Sequence, residues 1–254
     1  MQRFTGMMDA LEGERRRGFQ HVSRFISAIS EHLKVDAVYR GHANAGWGLV
    51  PSALRGQGVG IDNIDRLKGW KRVAARLANP RPTNDFEWLA LAQHHGIATT
   101  LLDWTYNPLV ALFFACGEPH EKDAAVWQVE RAAFKRFERP ETIEPFKQDR
   151  DLPGLIDASS MNARSIAQDS AMSLHPPGSS FQPNGEHGLI IYRVPSRDKL
   201  GARQALRTFG ISEERLFVDL AVVVKDYRAT LAIDGLLTAH RQSVGARREA
   251  GDSG

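Results

Sequence analysis

The sequence predicts an α+β protein: a single domain in which a small mixed or antiparallel sheet is packed with several helices. Three observations lead there. Residues 124–130 (AAVWQVE) and 189–194 (LIIYRV) have the length and the β-branched and aromatic content of strands. Residues 19–33 and 64–77 repeat apolar side chains at helical spacing. Residues 87–116, EWLALAQHHGIATTLLDWTYNPLVALFFAC, read as two apolar helices joined by a polar bend. With no internal repeat and no composition of a linker, one domain follows, its body at 19–240. A polar extension (1–18), helical or loose, precedes it, and a disordered tail (241–254) follows.

Taken in order, residues 19–33 form an amphipathic helix with Phe25, Ile26, Ile29 and Leu33 inward. Ala37, Val38 and Tyr39 make a short strand with Arg40 at its end and Gly41 as its stop. The segment NAGWGLVPSALRG is an ordered loop. A basic helix over 64–77 turns Leu67, Trp70, Val73, Ala74 and Leu77 inward, and the two prolines of 79–83 break the chain after it. In the central stretch, Asn84 with Glu87 three residues on forms a capping box. Gly96 suits the left-handed position that ends such a helix. Asn107 caps a second helix and Pro108 takes its first position, where a missing N–H costs nothing. Leu109, Val110, Leu112, Phe113 and Phe114 cover most of that helix, so it is expected to be deeply buried until Gly117 ends it. Residues 97–106 are then a rigidly held connection. Residues 131–160 are irregular, 161–183 resist typing, and Ser196 and Ser212 start two further helices. An apolar face at 218–237 is of undetermined type.

Composition sets limits on function. At 42% hydrophobic and 25% charged over 254 residues, the chain resembles an ordinary globular protein with a substantial core. No apolar run reaches membrane length and no signal peptide opens the chain, so no membrane partner is expected. A single cysteine, Cys116, excludes an internal disulfide and points to the cytoplasm. A net charge of +3 is too small to call for nucleic acid by itself. No phosphate loop, nucleophile elbow or dinucleotide fingerprint is present. His94 and His95 are adjacent and point about 100° apart on a helix, and no ligands at metal spacing accompany them.

The bend carries the chemistry. Gln93, His94, His95, Thr99, Thr100, Asp103, Trp104 and Thr105 crowd between two apolar helices, where polar groups either satisfy one another or meet a ligand. Arg40 suits bidentate phosphate contact, or else pairs with a carboxylate such as Asp103. Asp103 either caps backbone N–H groups in the bend or takes part in chemistry there.

These residues resemble a known family. Tyr39-Arg40-Gly41, Trp47, Pro51-Ser52 with Arg55, then Gln93-His94-His95-Gly96 leading to Leu101-Leu102-Asp103-Trp104-Thr105 and the apolar helix, are similar to the FRG domain, which is named for its aromatic-Arg-Gly motif. Arg164 to Gln168 with Ser173, and 210–220, continue the resemblance more weakly, and it spans roughly 20–228. The chain departs from it with Ala98-Thr99-Thr100 where the family has Pro-Thr-Arg, and with Ser170 and Met172 where Gly and Phe are usual. A strand ending in aromatic-Arg-Gly and a later Ser/Thr bend also looks like the opening of ADP-ribosyltransferases of the Arg-Ser-Glu type. That second resemblance implies an ADP-ribosyltransferase-like core, and an enzyme that binds NAD or a related nucleotide and transfers or hydrolyses its ADP-ribosyl group, as a toxin or phage-defence effector. The acceptor would be a protein or a nucleic acid.

On this reading Arg40 holds the phosphates, with Tyr39, Gly41, His42, Trp47 and Arg55 beside it. Thr99, Thr105 and Tyr106 frame base or ribose, His94 bonds a hydroxyl, Asp103 stabilises charge, and Gln168 with a late acid, Glu214 or Asp219, closes the site. The Glu/Gln-x-Glu turn of those enzymes has one match, Gln128-Val129-Glu130, placed early in the chain. A non-catalytic module sensing a nucleotide or protein is the alternative. A nucleic-acid-processing toxin is a third, opposed by modest charge and the lack of paired acids.

Overall fold

The computed structural model describes residues 2–31, 36–56, 59–137, 143–147, 153–158, 163–178, 181, 188–217 and 224. Two compact units are distinguished, 1–211 and 212–254. The first is built on one seven-stranded sheet of order β4-β5-β6-β2-β1-β3-β7. The strands are β1 (Ala37–His42), β2 (Leu101–Thr105), β3 (Ala124–Glu130), β4 (Lys135–Arg136), β5 (Gly154–Asp157), β6 (Ser170–Leu174) and β7 (Gly188–Val194). All neighbours run antiparallel except β4 and β5. The helices of this unit are α1 (Gln2–Glu31), α2 (Ile64–Ala74), α3 (Asp85–His94), α4 (Pro108–Ala115), α5 (Ala163–Ala167) and α6 (Lys199–Thr208). The α+β class and single sheet expected from the sequence are therefore observed. Among the described residues no helix is long and apolar enough to cross a membrane.

Side-chain alternation divides β1 between two cores. Gly41 faces α4, and a Cβ built on it would lie 2.0 Å from the Ala111 carbonyl oxygen and 2.5 Å from the Ala115 amide nitrogen. Only a glycine lets the apolar α4 backbone come this close to the strand. Leu101, on that side of β2, packs with Phe86, Leu89 and Ala92 of α3 and Leu67 of α2. Val38, Leu102 and Trp104 turn to the other side and pack with Leu49, Phe134, Leu155 and Phe181.

Several elements differ from expectation. The bend at 97–106 is largely a strand, because Leu101–Thr105 pairs β6 over five positions and becomes the middle of the sheet. Polar residues hid a strand that is buried at every position but Asp103, with a short apolar pattern rather than an alternating one. Gly41 does not stop β1, which runs to His42 with partners in β3 throughout. Among the described side chains of α1, His21, Val22 and Phe25 are buried, while Ile26 stays 45% exposed. α2 ends at Ala74, and Val73 and Leu77 face outward rather than inward. The segment 131–160 holds β4 and β5, and 161–183 holds α5 and β6.

Both N-caps of the central stretch form, but the capping box is only half made, since the Glu87 carboxylate accepts from Thr83 N instead of Asn84 N. Asn84 Oδ1 accepts from Glu87 N (2.9 Å) and Asn107 Oδ1 from Leu109 N (3.0 Å). Gly96 takes φ +82°. In the second unit, α7 (Glu213–Phe217) follows Ser212, whose carbonyl accepts from Leu216 N at 3.0 Å. Apart from Val224, the expected apolar face at 218–237 and the tail lie outside the described residues, as does Asp219.

Candidate functional site: a cationic cleft between β1 and β2

β1 and β2 share one paired position, Tyr39↔Thr105, while β1 follows β3 over six. On the other edge of β2, Thr100 O accepts from His175 N and Tyr106 N donates to Asp169 O. Even-numbered residues of β2 thus bond toward β6, and odd-numbered ones turn their backbone groups toward β1. Beyond Thr105 those groups lack a full ladder, and Asp103 is the first of them.

The Arg40 guanidinium fills this position. Its NH1 donates to the main-chain carbonyl of Asp103, and its Nε donates to His42 Nε2 at 3.1 Å. Since Nε can only donate, His42 Nε2 must accept, so the proton sits on Nδ1 and bonds Trp47 O at 3.1 Å. Burial, and then the Arg40 charge, push the His42 pKa down to about 4, so this ring is a neutral prop for the arginine. His175, joined to Ser173 Oγ at 2.7 Å and through it to Trp104 Nε1 (2.7 Å), is pushed down to about 3 by burial and by Arg40. Two neutral histidines therefore share the arginine's side of the sheet.

Arg40 has no carboxylate within ion-pair distance among the described residues, and only two of its five N–H donors have protein partners. Burial lowers its pKa, Asp103 opposes that and Arg55 adds to it. A cleft of about 240 Å³ opens beside it, lined by Arg40, Ser52, Arg55, Gln93, the 96–98 turn, Leu101, Leu102 and Asp103. Arg55 is exposed and held through its Nε to Val50 O at 3.0 Å. The Asp103 side chain leaves the strand toward α3, where Oδ1 accepts from Gln93 Nε2 at 2.6 Å. Gln93 is fixed in turn, because its Oε1 accepts from the buried Thr99 hydroxyl. That hydroxyl oxygen also accepts from Leu101 N at 3.2 Å.

The cleft thus gathers Arg40, Arg55 and Asp103 from the residues singled out in the sequence, with Thr99 behind its wall. The remainder sit elsewhere. Tyr39 is buried beside Thr105, and Gly41 lies under α4. Thr105 Oγ1 donates to Gln168 O (2.6 Å) and accepts from Asn107 N (3.0 Å), a local structural task. Tyr106 lies 5.8 Å beneath the Arg131 guanidinium. Trp47 is 41% exposed, and its ring is 6.3 Å from His42. His94 is exposed on the last turn of α3, its ring 5.2 Å from that of His95. Gln168 is partly buried after α5, and Glu214 belongs to α7 of the second unit. Gln128 and Glu130 pair with Tyr39 and Ala37 and share their face, opposite to the Arg40 side chain. Ser52 and Gln93, named from the motif and the bend but given no role in the site, also line the cleft. Arg164, named only as part of the weaker resemblance, is partly buried, and its pKa is lowered by burial and raised by Asp103.

Chemically the cleft offers one guanidinium with spare donors, a second beside it, a serine hydroxyl and one carboxylate. That set suits an anion with hydrogen-bonding groups attached. Comparison with protein families matches residues 35–124 to the FRG domain, a range that contains every residue lining the cleft. No curated protein and no solved structure matches the chain.

Proposed function

The chain carries an FRG domain at residues 35–124, and from the cleft within it we propose a cytoplasmic enzyme that binds NAD or a related nucleotide and transfers or hydrolyses its ADP-ribosyl group. The observation behind this reading is Arg40: a guanidinium fixed by a main-chain carbonyl and a neutral histidine, with no carboxylate partner among the described residues and with donors left for a ligand. Arg40 is partly exposed at the cleft, so an arginine held open there beside a second arginine offers its spare donors to an incoming anion. The phosphates lie against Arg40 and Arg55. Asp103 is the one carboxylate lining the cleft among the described residues, and on this reading it stabilises the positive charge that grows on the ribose as the bond from C1′ to the nicotinamide nitrogen breaks. Nicotinamide leaves with the bonding electron pair, and water or an acceptor hydroxyl adds at C1′ and loses its proton. A toxin or phage-defence role belongs to this reading by analogy with such enzymes.

A second reading is favoured by the position of Glu130, whose face of the sheet is opposite to that of Arg40. With a single carboxylate at the cleft, the same contacts serve a non-catalytic module that senses a nucleotide. Nicotinamide release from NAD, measured with and without cell lysate, separates the two. Turnover lost in Arg40→Ala and Asp103→Asn supports the enzyme. Stabilisation by NAD without turnover supports the sensor. A chain that neither binds nor consumes NAD overturns both.

A further inference from the structure

We infer that the unit the cleft recognises is a phosphorylated ribose, selected through its sugar hydroxyls and not through its base. This rests on the nucleotide reading and adds the ligand's orientation to it. Asp103 carries both ends of the argument. Its carbonyl holds the Arg40 guanidinium, while its carboxylate leaves the strand toward Gln93, which occupies Oδ1 alone. Oδ2 has no protein partner among the described residues, and Asp103 is exposed to the cleft. An ionised carboxylate only accepts hydrogen bonds, and it repels a phosphate placed next to it.

A ligand whose anion sits on Arg40 and Arg55 must therefore present donors, not charge, to Asp103 one strand position away. A pentose phosphate does this, with its phosphate at one end and vicinal hydroxyls at the other. Gln93, itself fixed by Thr99, holds the carboxylate through Oδ1 and leaves Oδ2 without a protein partner among the described residues. Apart from Ser52, the remaining wall is aliphatic or backbone: Gly96, Ile97, Ala98, Leu101 and Leu102. None of the lining residues is aromatic, so the cleft lacks the flat surface on which a base would stack. Its volume of about 240 Å³ is below the ~300–1,000 Å³ of sites that enclose whole drug-sized ligands, which leaves the base outside.

Dissociation constants for ribose 5-phosphate, 2-deoxyribose 5-phosphate and ribose, measured by ligand-observed NMR on the full chain, test this. ADP and UDP serve as the pair that differs in base. Ribose 5-phosphate should bind about tenfold tighter than the deoxy sugar, the effect of one hydrogen bond to a charged group. Ribose alone should not bind, and ADP and UDP should agree within about threefold. Asp103→Asn should erase the difference between the sugars. Arg55→Ala should weaken both phosphates by the same factor, with the thermal melt confirming that each variant is folded. Equal binding of the two sugar phosphates by the unaltered chain overturns the inference, as does a tenfold preference for one base or discrimination that survives Asp103→Asn. If the deoxy sugar and NAD bind well, this inference fails alone. If no phosphate compound binds, the nucleotide reading fails with it.

Discussion

The Arg40 guanidinium bonds the main-chain carbonyl of Asp103 and not its carboxylate. Register explains it. Arg40 and the Asp103 side chain leave the sheet on opposite faces, while the Asp103 carbonyl points along the sheet into the gap where β1 and β2 stop pairing. The arginine stands in for a missing ladder bond, and that is why it remains unneutralised.

Arg40→Ala should therefore lose stability as well as binding. Its removal takes a donor from both Asp103 O and His42 Nε2, at a cost of about 1–3 kcal/mol. Arg40→Lys keeps the charge but lacks the planar fork that reaches both acceptors, and should fall between the two. Urea denaturation reads the stability loss. A binding loss of at least tenfold in Arg40→Ala, greater than in Arg40→Lys, is the expected companion.

The two histidines around Arg40 make stability depend on pH in a stated direction. Both fold with pKa values below the ordinary 6.5, at about 4 for His42 and about 3 for His175. Below pH 6.5 the unfolded chain takes up protons that the native one refuses. Their contribution is thus complete above pH 6.5 and is lost as pH falls toward 4 and then 3. For His42 the difference is worth on the order of 3 kcal/mol. A chemical-denaturation series from pH 7.5 to 4 should show the decline, and His42→Gln should flatten part of it. An unchanged slope in that variant would contradict the neutral state of the folded ring.

Gly41→Ala should disrupt the fold rather than the chemistry. A methyl group 2.0 Å from the Ala111 carbonyl forces α4 away from the strand. Overpacking of this kind costs about 1–3 kcal/mol and occasionally more. A thermal melt lowered by several degrees or a failure to fold is expected, and a wild-type melting curve would refute the close approach.

Cys116 should be inert in the native protein. It is fully buried at the end of α4, and burial pushes its thiol pKa up to about 12. Iodoacetamide at pH 8 should leave it unmodified until denaturant is added, as read by mass spectrometry.

Gln93→Leu should release both groups it holds, freeing Asp103 to move and leaving the buried Thr99 hydroxyl without its acceptor. A stability loss of about 1–3 kcal/mol is expected. Gln93→Glu keeps an acceptor for Thr99 but sets a second negative charge beside Asp103, and should weaken binding of a phosphate more than it weakens the fold.

Local chemistry made part of this legible in advance. The caps at Asn84 and Asn107, the left-handed Gly96 and the buried α4 depend on neighbours within four residues. So did the strands at 124–130 and 188–194, whose β-rich content stands alone. Arg40, Arg55 and Asp103 could be named from their motifs. Strand β2 could not, because Thr, Asp and Trp inside a short apolar run carry no period. Only pairing with β6, some seventy residues on, makes it a strand. Thr105 and Tyr106 were drawn into the site by proximity in sequence, but Thr105 bonds Gln168 O and Asn107 N and Tyr106 lies under Arg131, beyond the lining of the cleft.

The chain by itself determined which short segments bend, cap and bury, and which residue types carry charge at its centre, since those follow from contacts a few residues apart. Tertiary structure decided the register of β1 against β2. That register sends the Asp103 carboxylate to α3 and its carbonyl to Arg40, and leaves a cationic cleft open between two strands that share a single pair. Long-range pairing is chosen by the total burial of both sheet faces, a quantity that no local window of residues contains.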